Sequence, residues 1–358
     1  MNHESILQKA LDGERINADE ARALYDCQDI TLLGNVATRL YRKRLATQGK
    51  TITYIVDRNI NYTNVCVTDC SFCAFYRKAG DSEAYVLPNE TIGEKIREVQ
   101  DQGGLQILLQ GGHNADLKID YYENLFRFIK ENFGIHLHAL SPPEIVHLSK
   151  LSRLSLKDTI ARLKDAGLDS IPGGGAEILV DRVRDIISPK KCTTDQWLDV
   201  MGTAHELGLP TTATMMFGHV ETLEDRVEHL MRLRDQQDKT GGFTAFICWP
   251  FQSGNTPLAK DIGPKNTTGW EYLKTLAIGR IVLDNIDNHQ SSWVTQGPKV
   301  GQMALFFGAN DMGSTMFEEN VVSAAGTTYN LNEKEIRRLI EDGGFVPQRR
   351  NMQYAHVT

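Results

Sequence analysis

Thr51-Ile-Thr-Tyr-Ile-Val-Asp-Arg-Asn-Ile-Asn-Tyr-Thr-Asn-Val-Cys66-Val-Thr-Asp-Cys70-Ser-Phe-Cys73 runs from an apolar, β-branched stretch directly into three cysteines. The first half has the composition of a strand. The second half sets three thiols on one short loop with C-x3-C-x2-C spacing. Iron-sulfur clusters are normally held by four cysteine thiolates, so three leave one iron open to a substrate or cofactor. Zinc takes the same ligand, but structural zinc sites fill all four positions and usually draw on two paired elements. No second pair is present, and Cys27, Cys192 and Cys248 are isolated, the pattern of small buried hydrophobes.

Outward from this stretch, short apolar runs alternate with longer amphipathic ones. Strands are expected at 54–61, 105–109, 136–140, 170–172, 211–217, 243–249, 288–293 and 303–307, with helices between most of them, as at 92–102, 121–132, 155–166, 194–207 and 222–239. Alternating βα units imply a parallel sheet, and eight of them a (βα)8 TIM-type barrel. A (βα)6 partial barrel with a C-terminal cap is the alternative if the last two strands fail. Residues 1–50 read as an N-terminal helical extension, with Asn17 and Glu20 spaced for a capping box and a second helix over 32–45. Residues 51–345 form the barrel and 346–358 a C-terminal tail.

The C-terminal strand ends of such a barrel carry its site, and the unusual sequence falls there: Gln110-Gly-Gly-His-Asn, Ser141-Pro-Pro-Glu, Pro172-Gly-Gly-Gly-Ala-Glu, Gly218-His-Val-Glu, Pro250-Phe-Gln-Ser-Gly-Asn and Gly308-Ala-Asn-Asp-Met-Gly. The triple glycine permits close approach of backbone to a ligand, with Gly174 at its centre and Glu177 placed to meet ribose hydroxyls. It lacks the lysine of a phosphate-binding P-loop. Arg182 lies one helical turn on, as a partner for a carboxylate or as a solvated surface arginine. His138, Glu144, His219, His289 and Asp311 stand near strand ends as candidate bases.

A net charge of -7, from 39 Lys and Arg against 46 Asp and Glu, opposes binding to nucleic acid, which needs a basic field. No apolar run reaches membrane-spanning length, and no apolar N-terminal segment follows a basic start. The expectation is a cytoplasmic enzyme without membrane or nucleic-acid partners, in a compartment reducing enough for an oxygen-sensitive cluster.

With Phe72 directly before the last cysteine, the chain resembles the radical S-adenosylmethionine superfamily. The resemblance implies a 4Fe-4S cluster on Cys66, Cys70 and Cys73, with S-adenosyl-L-methionine on the open iron. It also implies an electron donor such as flavodoxin or ferredoxin. By the same resemblance Phe72, Gly111 and Gly112 contact the cofactor, although His113 stands where the superfamily commonly has Glu. Gly111 and Gly112 also suit a tight turn with φ > 0. Met216, Gly218 and Glu221 match the segment that lies against adenine in relatives. One of Met215 and Met216 must face away, and either can simply fill core volume.

Longer phrases carry the resemblance further: Asn59-Ile-Asn-Tyr-Thr-Asn-Val-Cys, Ile171-Pro-Gly-Gly-Gly-Ala-Glu-Ile-Leu, Thr214-Met-Met-Phe-Gly-His-Val-Glu, Phe246-Ile-Cys-Trp-Pro-Phe-Gln-Ser-Gly-Asn and Gly301-Gln-Met-Ala-Leu-Phe-Phe-Gly-Ala-Asn-Asp-Met-Gly. Over about residues 50–345 the chain is similar to the cyclic dehypoxanthinyl futalosine synthase family. It departs at Cys248 and Ser253, where Pro is common. The resemblance implies ring closure on dehypoxanthine futalosine, a step toward menaquinone. Sister families, aminofutalosine synthase and the deazaflavin-cofactor synthase, share the opening motif. A non-catalytic cluster scaffold or electron carrier is the reading from another class.

Overall fold

The computed structural model describes residues 2–46, 49–263 and 267–357. Its first two strands, β1 (Thr51–Ile55) and β2 (Asp57–Asn61), are separated only by Val56 and act as one stave. They are followed by β3 (Gln106–Gln110), β4 (His136–Ala139), β5 (Thr211–Phe217), β6 (Phe243–Pro250), β7 (Asn288–Gln290), β8 (Asp311–Ser314) and β9 (Val346–Arg349). All pair in parallel, in the orders β2-β3-β4 and β5-β6-β7-β8-β1-β9. Single bridges from His138 to Ser170 and from Ile171 to Thr211 join the two ladders. With β8 paired back onto β1, the pairings visit eight positions in the order of a TIM-type barrel, the fourth held by Ser170 and Ile171 alone.

The break at Val56 lets one stave serve two sets of neighbours. Below it, β1 pairs with β8 and β9; above it, β2 pairs with β3. Alternation along the strands then sorts the side chains. Ile60, Ile107, Leu109, Leu137, Ala213, Met215 and Phe246 are fully buried against the helical layer. Asp57, Asn59, Gln106, Gln110, His138, Thr212, Thr214 and Gln290 line an internal cavity instead. TIM-barrel interiors are usually packed with branched apolar residues; this one is hollow, and the polar groups of its staves share the lining with Ile55, Leu108, Ile247 and Trp249.

Helix positions follow the amphipathic spacing, as in Asn89–Asp101, Ile119–Phe133, Leu156–Ala166, Thr194–Glu206 and Leu223–Thr240. The N-terminal expectation holds in detail: Asn17 Oδ1 accepts from Glu20 N at 2.9 Å, and Glu20 Oε2 accepts from Asn17 N at 2.7 Å. The helix Ile30–Arg44 packs against Gly269–Val282. Beneath the barrel the buried Arg280 ties the starts of β7 and β8 together, donating to Asp287 O (2.8 Å), Gly308 O (2.9 Å) and Asn310 Oδ1 (2.7 Å).

Two expectations are corrected. The run expected as the eighth strand, 303–307, is the end of the helix Trp293–Met303 followed by a 3-10 turn, Ala304–Phe306. A short apolar run suits a buried helix end as well as a strand, and here Phe307 packs against Gly34, where any Cβ would meet its ring. The eighth strand is Asp311–Ser314, polar and four residues long, in what was read as the following loop. The seventh stops at Gln290, because Trp293 already opens a helix.

His229 lies in the core between Leu223–Thr240 and the barrel, with Leu179 N donating to its Nδ1 at 2.9 Å. Burial pulls its pKa down to about 3. The unfolded chain, with an imidazole near 6.5, therefore binds the extra proton throughout the interval between those values. Stability is lost as pH falls below about 6.5, with a limiting slope from this group of about 1.4 kcal/mol per pH unit. His229→Asn keeps an acceptor and removes the titration. In urea denaturation the variant should gain on the wild type between pH 7 and pH 5; a constant difference would show that His229 is not held neutral.

Candidate active site

The cysteine loop leaves the end of β2 and is tied down by several separate segments. Asn64 Nδ2 donates to Glu83 O (2.8 Å) and Asn64 Oδ1 accepts from Tyr85 N (2.9 Å). Cys66 N donates to Arg77 O (3.0 Å), and Val67 N to His113 O (3.1 Å). Ser71 N and Oγ both donate to Ile187 O, at 2.9 and 3.1 Å, while Ser71 O accepts from Leu258 N at 2.8 Å. Backbone groups bonded in this way hold the loop's shape without help from the thiols.

Cys66, Cys70 and Cys73 all line one cavity of about 220 Å³. Among the described residues no three or more His, Cys, Asp or Glu side chains converge on a single-ion site. Thiols framing a cavity suit a cubane, in which each cysteine binds a different iron. Burial pushes the Cys70 thiol up to about 12, against the pull of Lys191; coordination to a cation offsets that cost.

Gly111 and Gly112 follow β3 and line the same cavity. Neither has positive φ, so the turn explanation is corrected. Proximity is the reason: a Cβ on Gly111 would stand 2.6 Å from the Tyr62 ring, and one on Gly112 would fall on the Val65 carbonyl beside Cys66. Glu144 fixes this corner, accepting from Ser141 N (2.7 Å), Ser141 Oγ (2.6 Å), Gly111 N (3.0 Å) and Tyr62 OH (2.9 Å). Burial raises its pKa. With its oxygens engaged it is a scaffold for the Gly-Gly turn rather than a free base, which corrects that expectation.

On the opposite wall Gly174 stands where a Cβ would lie 2.6 Å from Gln110 Nε2. Glu177, buried and at φ 43°, pairs with Lys191 Nζ at 2.8 Å. Burial alone would raise the Glu177 pKa, but Lys191 outweighs it and holds the carboxylate low. Lys191 also sits 4.9 Å from the centroid of the Phe72 ring. Phe72, Gly174, Glu177 and Lys191 line the cysteine cavity together.

A second cavity of about 300 Å³ occupies the lumen and shares Gln110, Gly174, Gly175, Glu177, Trp249 and Val321 with the first. His138 lines it, with Nδ1 2.7 Å from Ser170 Oγ, and burial pulls its pKa down to about 3, so it stands there as a neutral imidazole.

The other expected residues lie outside both cavities. Arg182 is half-exposed and bound to Asp225; the buried Arg184 does the local work, donating to the carbonyls of Gly175 (3.1 Å), Ala176 (2.6 Å) and Cys192 (2.6 Å). Met216 is buried in the core. Gly218 has φ 87°, and its N–H and that of His219 both donate to the Glu221 carboxylate, at 2.5 and 2.8 Å. Arg226 takes the remaining capacity of Glu221 at 2.8 Å, and His219 Nε2 meets Met216 O at 3.0 Å. Glu221 and His219 thus clamp the loop after β5 and reach no cavity. His289 is turned outward by alternation with Gln290 and packs on Phe246. Asp311 is fully buried and accepts from Thr53 Oγ1 (2.6 Å) and from Arg350 (2.5 and 3.0 Å). As contacts for a ligand or as bases, these seven are corrected.

Lys191 and Arg350 were missed in the sequence. Neither stands in a motif: Lys191 follows a helix in Ser188-Pro-Lys-Lys, and Arg350 lies in the segment read as a tail. The only available signal was β-branching and Pro at 346–347, a weak mark of an edge strand.

Gly112→Ala should displace the Val65 carbonyl and with it Cys66. We expect a folded protein, by far-UV circular dichroism, whose iron content after anaerobic reconstitution falls below half of the wild type. Full loading would show that the close approach does not matter.

The radical SAM superfamily signature matches residues 60–233, and that of the CofH/MqnC C-terminal region matches residues 240–358. The cyclic dehypoxanthine futalosine synthase of Halalkalibacterium halodurans is 47% identical over 355 residues, covering 99% of this chain and 95% of that protein. The 5-amino-6-(D-ribitylamino)uracil–L-tyrosine 4-hydroxyphenyl transferase of Methanothermobacter thermautotrophicus is 42% identical over 359 residues, covering 98% and 97%. Methylornithine synthase shares the fold, with a TM-score of 0.75 at 16% identity over 96% of this chain and 97% of that one. A three-cysteine loop at the mouth of a hollow parallel barrel and near-full-length identity agree: the chain belongs to the radical S-adenosylmethionine superfamily, in the branch of cyclic dehypoxanthine futalosine synthase.

Proposed function

We propose that this protein closes dehypoxanthine futalosine into cyclic dehypoxanthine futalosine, in the futalosine route to menaquinone. The observation that carries the reading is the shared wall between the cysteine cavity and the lumen. When bound, the 4Fe-4S cluster and S-adenosyl-L-methionine supply a 5'-deoxyadenosyl radical, which side chains cannot make. The substrate loses a hydrogen atom from C4' of its ribose to that radical, bonds that carbon to its benzoate ring, and regains aromaticity by passing one electron to an external redox carrier and one proton to a base.

Cys66, Cys70 and Cys73 hold the cluster. Gly111, Gly112 and Gly174 keep the wall thin enough for backbone to meet the cofactor, and Phe72, Glu177 and Lys191 border the same space. The lumen positions the substrate, which is most of what such chemistry asks of a protein. Its place inside the barrel limits the access of water and stray hydrogen donors to the radical. Among the lumen groups the neutral imidazole of His138 is placed to take the final proton.

The electron source is a flavodoxin or ferredoxin, and a reducing cytoplasm suits the cluster. Among the described residues no helix is long and apolar enough to cross a membrane. A net charge of -7 gives no field for nucleic acid.

The test is anaerobic. Reconstituted, reduced protein is given S-adenosyl-L-methionine and dehypoxanthine futalosine, and 5'-deoxyadenosine and a product two hydrogens lighter than the substrate are followed by mass spectrometry. Both are expected. Deoxyadenosine without that product would move the search to the substrates of the sister enzymes; neither, with the cluster intact, would favour an electron carrier. Cys70→Ala should abolish cluster absorbance and turnover, whereas Cys27→Ala, in the connection between two N-terminal helices, should change neither.

A further inference from the structure

The benzoate carboxylate of such a substrate is ionised at neutral pH, and a buried anion needs a paired, hydrogen-bonded cation. Among the described residues lining the lumen, Arg350 is the only Lys or Arg. It arrives with β9, whose pairing on β1 continues as Arg350 N donating to Tyr54 O at 2.9 Å. Arg350, Met352 and Tyr354 line the lumen cavity without bordering the cysteine cavity.

The guanidinium is held on three sides. Nε and Nη2 donate to the two oxygens of Asp311, at 2.5 and 3.0 Å, and Nη1 donates to Asn351 O at 3.1 Å. The Tyr354 ring lies 3.9 Å from its central carbon. Five N–H groups less these three contacts leave one on each terminal nitrogen. That pair is what a carboxylate takes in fork fashion.

The acidic groups nearby are engaged elsewhere. Asp57 accepts from Gln106 Nε2 at 2.7 Å and from Ser314 Oγ. Glu319 accepts from the backbone of Val321 (2.6 Å) and Val322 (2.9 Å) and from Asn59 Nδ2 (3.3 Å). Lys191, the cation of the neighbouring cavity, is paired with Glu177 beside the cysteines.

We propose that Arg350, held by Asp311 and stacked on Tyr354, receives the carboxylate of the substrate's benzoate, so that the acid end lies deep in the lumen and the ribose at the wall shared with the cysteine cavity. The assignment rests on the futalosine reading and adds its specificity-determining residue. Asp311, expected as a base, is instead the positioning residue for Arg350.

The experiment compares dehypoxanthine futalosine with its primary carboxamide, nearly the same shape without the charge, in the reconstituted wild type, Arg350→Lys and Arg350→Gln. The ratio of kcat/KM for acid over amide does not depend on the fraction of each preparation that is folded or loaded. Losing charge-assisted hydrogen bonds predicts a wild-type ratio of about ten to a hundred, close to one in Arg350→Gln and intermediate in Arg350→Lys. A wild-type ratio near one, which needs no variant, overturns the assignment. So does Arg350→Gln with the wild-type ratio. A wild type that turns over neither compound while cleaving S-adenosyl-L-methionine overturns the futalosine reading, and the assignment falls with it.

Discussion

Polar side chains buried in the lumen of a parallel barrel are the constraint on which the rest of this structure depends. Polar groups out of reach of bulk water need partners, and here several find them across neighbouring staves, while Asn59 Oδ1 and Gln106 Oε1 have none among the described residues. Gln106 meets Asp57, which also takes the Ser314 hydroxyl; Thr53 and Arg350 meet Asp311; Ser170 meets His138. Such networks add little net stability but make any other register costly. The apolar contribution comes from the outward strand faces and the helices on them, where Ile60, Leu109, Met215 and Phe246 are fully buried.

The same constraint explains the break in the first stave. An unbroken ladder from Thr51 to Asn61 would have to keep one set of neighbours along its whole length. The interruption at Val56 frees the lower half to accept β9, and β9 brings in Arg350. A segment that reads as a polar tail thereby supplies the lumen's cation. The upper half runs on to Asn61 and Asn64, the latter fixing the cysteine loop through Glu83 and Tyr85. One strand thus leads into the three-cysteine loop at one end and offers the docking edge for the C-terminal segment at the other.

What could be read from the sequence divides along local and non-local lines. The cysteine loop, the capping box at Asn17 and five of the first six expected strands depend on residues adjacent in the chain, and spacing or periodicity reveals them; 170–172 forms only single bridges. The eighth strand does not. Asp311–Ser314 has no strand composition and becomes one because Asp311 meets Gln290 and Thr53, and Ser314 meets Ile55. His219 looks like a site residue because it stands at a strand end, and Glu221 because its segment matches the one that lies against adenine in relatives. Whether a carboxylate there faces a ligand or its own loop is decided by Arg226, five positions on and buried beside it. His289 is lost to parity, since one residue along a strand reverses the face.

The two cations that border the cavities are built alike. Lys191 is paired with the buried Glu177, and Arg350 with the buried Asp311. A bare cation in either place would carry the full cost of leaving water, and a ligand would then have to repay it. Because each is already neutralised and oriented, an arriving carboxylate meets donors that need no reorganisation. The arriving anion must then share its cation with the resident one. Binding is correspondingly moderate and depends on geometry, which favours a planar fork at Arg350 over a point charge. The guanidinium, carrying five donors of which the protein uses three, can hold Asp311 on one edge and offer another to a ligand. A lysine in its place would have only three donors to divide, without a fixed plane.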